Sequence, residues 1–150
     1  LKAISKLENK IGKNIDNCLT KQSEFKREIK YARMINKADY QIEWETDATN
    51  IFRKINALYP LANTTYRGKN LKIIKIRILK SDDYQKNINL VSKNLKPGII
   101  LDIVENEGIV ISTKTEPIIL LEAKLEGKNT SSKIQLIQQL KPKVGEFFSD

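Results

Sequence analysis

Histidine is absent from this chain of 150 residues, cysteine occurs once, and acidic residues are few, 18 against 27 lysines and arginines. Without histidine, no nucleophilic triad that relies on imidazole as its general base can be built. With Cys18 alone there is no disulfide framework, and zinc sites made from Cys or His are excluded, so no metal site is expected. Carboxylates remain, but no pair of them sits in a recognisable catalytic motif, and no catalytic residue is assigned. Long apolar runs are missing too: nothing approaches the roughly 20 residues of a spanning helix. The opening Leu1-Lys2-Ala3-Ile4 also lacks the continuous apolar core of a secretory signal. The expectation is a cytoplasmic chain with no membrane contact that performs no chemistry by itself.

What is present is positive charge. The formal net charge is +9 and the isoelectric point lies near 9.6. Such an excess favours a polyanion as partner, because each phosphate neutralised releases condensed counterions whatever the nucleotide sequence. Biased codon usage in a Lys-, Ile- and Asn-rich chain would give the same total, so the placement of the charges has to decide. The length suits one ordinary domain with a tail.

Residues 1–19 place Leu1, Ile4, Leu7 and Ile11 at helical spacing among lysines, and residues 20–36 are mostly polar without a sustained period. The first stretch reads as an amphipathic helix that belongs to a domain outside this chain, the second as a linker, and 37–150 as the domain proper. An extended piece ends at Trp44. Thr46 or Asp47 then caps a helix lined by Ala48, Ile51, Ile55 and Leu58 and closed by Pro60. Residues 61–66 and 71–80 flank the turn Arg67-Gly68-Lys69-Asn70 as a hairpin, with Ile74, Ile76 and Ile78 on its apolar face. Strands are expected at 99–104, 109–112 and 118–121, and Ser131 or Ser132 should cap a last helix carrying Ile134, Ile137 and Leu140. Five short strands with flanking helices suggest a small, mainly β closed barrel, since closure removes exposed sheet edges.

Basic residues are densest from Arg67 to Lys80, and alternation places Lys75 and Arg77 on one face, spaced to meet phosphates or 2′-hydroxyls. Lys69 and Lys72 belong to the same run, and Arg53 and Lys54 lie on the outer side of the preceding helix. A second set, Lys124, Lys128 and Lys133, brackets Gly127 and the cap of the last helix, where backbone amides also favour an anion. Trp44 and Tyr66 could stack on bases, although a lone Trp in apolar surroundings is more often core. The charges on an outer strand face could equally serve only to keep it soluble.

Several segments in order resemble the C-terminal domain of the methionyl-tRNA formyltransferase family. They are Tyr31-Ala32, Lys37-Ala38-Asp39-Tyr40-Gln41-Ile42-Glu43-Trp44, the helix from Ile51-Phe52-Arg53-Lys54-Ile55 to Tyr59-Pro60, Gly68-Lys69-Asn70-Leu71-Lys72-Ile73, Pro97-Gly98-Ile99-Ile100 and Gly127-Lys128. The resemblance implies a Greek-key barrel of the oligonucleotide-binding type that grips the phosphate backbone of initiator tRNA through Arg53, Lys54, Lys69, Lys72, Lys75, Arg77 and Lys128. It further implies a separate N-terminal catalytic domain that partners this one and transfers a formyl group from formyl-tetrahydrofolate to the methionyl amine. Within residues 1–150 no cofactor is expected, and the fragment should be inactive alone and monomeric. The family's helix arginine is Asn56 here, its Pro-Trp-Pro is Pro60-Leu61-Ala62, and the lysine near its opening is Met34. These departures leave room for the barrels of nucleotide-sugar formyltransferases or of formyltetrahydrofolate dehydrogenase, and for a free-standing nucleic-acid-binding barrel.

Overall fold

The computed structural model describes residues 31–79 and 96–149. The chain divides into two units, Leu1–Met34 and Ile35–Asp150, and every element named below lies in the second. The helix expected at 1–19, most of the linker and the polar stretch after Leu79 fall outside the described residues.

Asn36 caps a short 3-10 helix, Lys37–Tyr40, accepting from the Ala38 and Asp39 amides while the Asp39 carboxylate accepts from the Asn36 amide at 2.7 Å. Helix α1, Ala48–Ala57, follows. Its cap residue is Asp47, but no side chain of the cap bonds the first turn; Thr115 supplies the missing acceptor, its hydroxyl lying 3.0 Å from the Ala48 amide. The spacing of Ala48, Ile51 and Ile55 puts all three in the core. Each isoleucine contributes roughly 1.5–3 kcal/mol by leaving water. Leu58 is only partly buried, and the Tyr59–Pro60 peptide after it is cis.

Six antiparallel strands follow: β1 Asn63–Tyr66, β2 Lys69–Ile78, β3 Ile100–Val104, β4 Gly108–Ile111, β5 Ile118–Leu125 and β6 Thr130–Ser132. Helix α2, Lys133–Leu140, comes last. The sheet order is β1-β2-β5-β4-β3, with β6 also paired to β5. Strands β3, β4 and β5 follow one another, and β2 lies beside β5 although a long connection separates β2 from β3. This is a Greek key.

Closure comes from a segment that no periodicity marks. Between the free edges of β1 and β3 runs the C-terminal tail. Thr65 and Ser149 exchange two backbone hydrogen bonds of 3.0 Å each, the Phe148 amide donates to the Gly98 carbonyl at 2.8 Å, and the Ile100 amide donates to the Glu146 carbonyl at 2.7 Å. Both edges are thereby paired, which completes a small barrel.

Three expectations need correction. The apolar stripe of β2 is Leu71, Ile73, Ile76 and, partly buried, Ile78, while Ile74 is only half-buried. The β2–β5 register shifts between Ile73 and Lys75 and back between Lys75 and Ile76, so both strands change face there together. Strand β5 is longer than 118–121, and β6 adds a sixth strand to the five expected. In α2 the buried residues are Leu136 and Leu140, whereas Ile134 is 47% exposed. Ser132 is the cap position but makes no side-chain cap bond, and Ser131 instead donates to Gln139 at 2.6 Å.

Candidate nucleic-acid interface

The bulge in β2 keeps Lys72, Lys75 and Arg77 on the outside of the barrel even though the strict alternation fails. Lys72 stands directly opposite Lys124 on β5, Lys75 opposite Glu122, and Arg77 opposite Ile119. Strand pairing therefore joins the two basic sets, far apart in sequence, into one face. Lys72 and Lys124 line a depression of about 240 Å³ together with Gly127. A wider groove of about 580 Å³ takes in Lys75, Arg77 and Lys133, with Leu121 among its lining and Glu107 and Glu122 beside the cations.

At one end of this face the β1–β2 and β5–β6 turns are tied together. The Asn70 amide donates to the Glu126 carboxylate at 3.1 Å, and the Glu126 amide returns a bond to the Asn70 carbonyl at 2.9 Å. Lys69 and Lys128 are exposed in this region. Among the described residues, no carboxylate lies within ion-pair distance of Lys69, Lys72, Lys75, Lys124, Lys128 or Lys133. Like charges set opposite one another across an antiparallel pair cost about 0.2–1 kcal/mol. An anion lying between Lys72 and Lys124 would reverse that sign.

The other expected contacts are less free. Arg77 is bound to Glu107 of the β3–β4 turn at 2.6 Å, with both side chains about half exposed. Lys54 pairs with Glu43 at 3.3 Å, and neither Lys54 nor Arg53 lines the two depressions. Exposed pairs of this kind contribute little and exchange readily. From the sequence, Glu107 is placed only in a turn and Glu122 is given no role, because only the register and the β3–β4 turn bring them to the cations.

Trp44 and Tyr66 are core residues and offer no stacking surface, being 2% and 3% exposed. The Trp44 indole donates to Thr64 at 3.0 Å and the Thr64 hydroxyl passes the chain on to the Ser149 carbonyl at 2.8 Å. Phe148 packs on both rings, with centroids at 5.7 Å from Trp44 and 4.8 Å from Tyr66. Arg67 belongs to the same construction. Its guanidinium reaches both Glu146 oxygens at 2.7 and 2.8 Å and the Leu140 and Lys141 carbonyls, and the Tyr66 hydroxyl donates to the same carboxylate. Bonding from Tyr66 and then Arg67 holds the Glu146 carboxyl down at about 2, and burial followed by Glu146 pushes the Tyr66 phenol above its ordinary range. This cluster is a clasp for the tail.

Among the described residues no cluster of His, Cys, Asp or Glu could hold a metal, and no helix is long and apolar enough to cross a membrane.

The family model described as "Formyl transferase, C-terminal domain" matches residues 34–141. The methionyl-tRNA formyltransferases of Prochlorococcus marinus strains MIT 9215 and MIT 9312 are 62% and 63% identical over the whole chain. That of Synechococcus sp. strain CC9902 is 37% identical over 81% of it. The chain spans about half the length of such relatives, 46% for the two Prochlorococcus proteins and 38% for the Synechococcus one. Among solved structures, a variant of HypX from Aquifex aeolicus aligns with 91% of this chain and 23% of its own at a TM-score of 0.53 and 17% identity, a likeness of fold alone.

Proposed function

The chain belongs to the formyl transferase C-terminal domain family, and we propose that it is the part of a methionyl-tRNA formyltransferase that grips the tRNA. In that role the barrel holds the phosphate backbone of methionyl initiator tRNA in the cytoplasm. A catalytic domain outside residues 1–150 transfers the formyl group from formyl-tetrahydrofolate to the methionyl amine. Catalysis is assigned elsewhere because this chain has no histidine to serve as a general base.

The observation that carries the proposal is the unpaired opposition of Lys72 and Lys124 on the joined basic face. It suits a polyanion: Glu126 lines the same depression but accepts from the Asn70 amide, and among the described residues no carboxylate lies within ion-pair distance of either lysine. With Trp44 and Tyr66 in the core, the face has cations to follow a backbone but no aromatic platform to identify bases. Binding should then be steep in salt and similar across tRNA species. Changing Lys72 and Lys124 together to Ala is expected to flatten the log-log salt dependence by between about one and two units, near 0.7–0.9 for each phosphate no longer neutralised. Filter binding across a salt series measures this. An unaltered slope would place the tRNA on another surface, with Arg53 and Lys54 the next candidates.

A further inference from the structure

The groove between β2, β5, the β3–β4 turn and the start of α2 is wider than the Lys72–Lys124 depression, about 580 against 240 Å³. It brings three cations, Lys75, Arg77 and Lys133, together with two carboxylates, Glu107 and Glu122, around the half-buried Leu121. A surface meant only for phosphates would gain nothing from the carboxylates, which repel them. Three cations against two carboxylates leave one net positive charge, the complement of one phosphodiester. The carboxylates accept hydrogen bonds, and on a nucleic-acid backbone the donor beside each phosphate is the ribose 2′-hydroxyl. Leu121 offers an apolar contact of the kind a sugar ring can use, and about 580 Å³ lies within the range of small-molecule sites.

From this we infer that the groove is a ribonucleotide seat. Lys75, Lys133 and Arg77 take the phosphate, and Glu122 and Glu107 accept from the 2′-hydroxyl, so that the barrel prefers RNA to DNA without reading a base. The Arg77–Glu107 pair at 2.6 Å holds the two kinds of group side by side in the free protein. Being about half exposed, it opens at little cost when the backbone arrives. The inference rests on the basic face as the RNA surface and adds to it a discrimination that cations alone cannot give.

The test uses the 150-residue chain with three hairpins of one sequence, made of RNA, of DNA and of 2′-O-methyl RNA. The last keeps A-form geometry but donates no 2′ hydrogen bond. The unmodified chain is expected to bind RNA roughly threefold to tenfold more tightly than 2′-O-methyl RNA, the scale of a partly exposed hydrogen bond to a charged group. The variant Glu107→Ala with Glu122→Ala, which removes both acceptors as well as their charges, should bring that ratio close to one while DNA binding strengthens, since two repelling charges are gone. Equal affinity of the unmodified chain for RNA and 2′-O-methyl RNA overturns the proposal. A variant that gains affinity for all three hairpins in proportion also overturns it, because the carboxylates then only repel. Failure of the underlying reading looks different: Lys72→Ala with Lys124→Ala would leave the binding of every hairpin unchanged.

Discussion

The seam closed by the C-terminal tail and the outer face of β2 and β5 are both rich in positive charge, yet they use it in opposite ways. At the seam the guanidinium is committed to the protein's own acceptors: the two terminal nitrogens of Arg67 between them donate to both Glu146 oxygens and to two backbone carbonyls. On the outer face Lys72 is set against Lys124, and Arg77 is the cation bound to a carboxylate. A lysine or arginine is therefore uninformative by itself. What its neighbours leave unsatisfied tells a clasp from a binding surface. The seam should fail when its side chains are truncated, whereas the outer face should lose partners and keep its fold.

The sharpest break is at Phe148, which is 2% exposed and touches both Trp44 and Tyr66. Phe148→Ala should cost about 3–5 kcal/mol, as expected for a truncated core aromatic. Denaturant unfolding followed by Trp44 fluorescence measures it. A loss below about 1 kcal/mol would mean that the tail decorates a barrel already closed without it.

Acid offers a smaller and more selective perturbation of the same seam. The folded Glu146 carboxyl titrates at about 2, lowered first by the Tyr66 hydroxyl and then by Arg67. An unfolded Glu titrates near 4.3. Because the folded value is the lower, the contribution is complete above roughly pH 4.3 and disappears as pH falls towards about 2. Tyr66→Phe removes the first of these bonds and should cost about 1 kcal/mol at neutral pH. The stability gap between the two proteins should close through the acid window, as seen by denaturation at stepped pH. A gap that stays constant down to pH 2 would trace the effect of Tyr66 to packing alone.

Much of this fold was legible in the sequence because it follows from local periodicity. The helix carrying Ile51 and Ile55 and the hairpins around Gly68 and Glu105-Asn106-Glu107-Gly108 form where pattern and turn residues place them. What could not be read depends on partners distant in the chain. Ile74 fails to enter the core because β5 shifts register with β2, and Thr130–Ser132 pairs as a strand only because the second half of β5 is open to it. The tail, Phe147 to Ser149, has no strand pattern and is recruited by two free edges. The site was legible to the same degree. Lys75 and Arg77 share a face as expected and the register shift adds Lys72, but a linear reading offered Lys124 and Lys133 as a rival surface and did not place Glu107 or Glu122 beside the cations.

Lys72→Gln should have the smallest effect on stability, and an opposite sign to those at the seam. The substitution keeps most of the alkyl stem, which half-buried Lys72 lays along the barrel, and removes one member of the opposed pair with Lys124. Relief of that repulsion should stabilise the chain by about 0.2–1 kcal/mol, most clearly at low salt. The same change removes one phosphate-binding cation, so the salt slope for RNA should flatten by roughly 0.7–0.9. Stability and affinity would then move in opposite directions at a single residue, which is the behaviour of a group positioned for a ligand at the expense of the fold. If Lys72→Gln destabilises the chain instead, Lys72 is packed as a structural residue, and the distinction between clasp and binding face fails at the position where it was drawn most firmly.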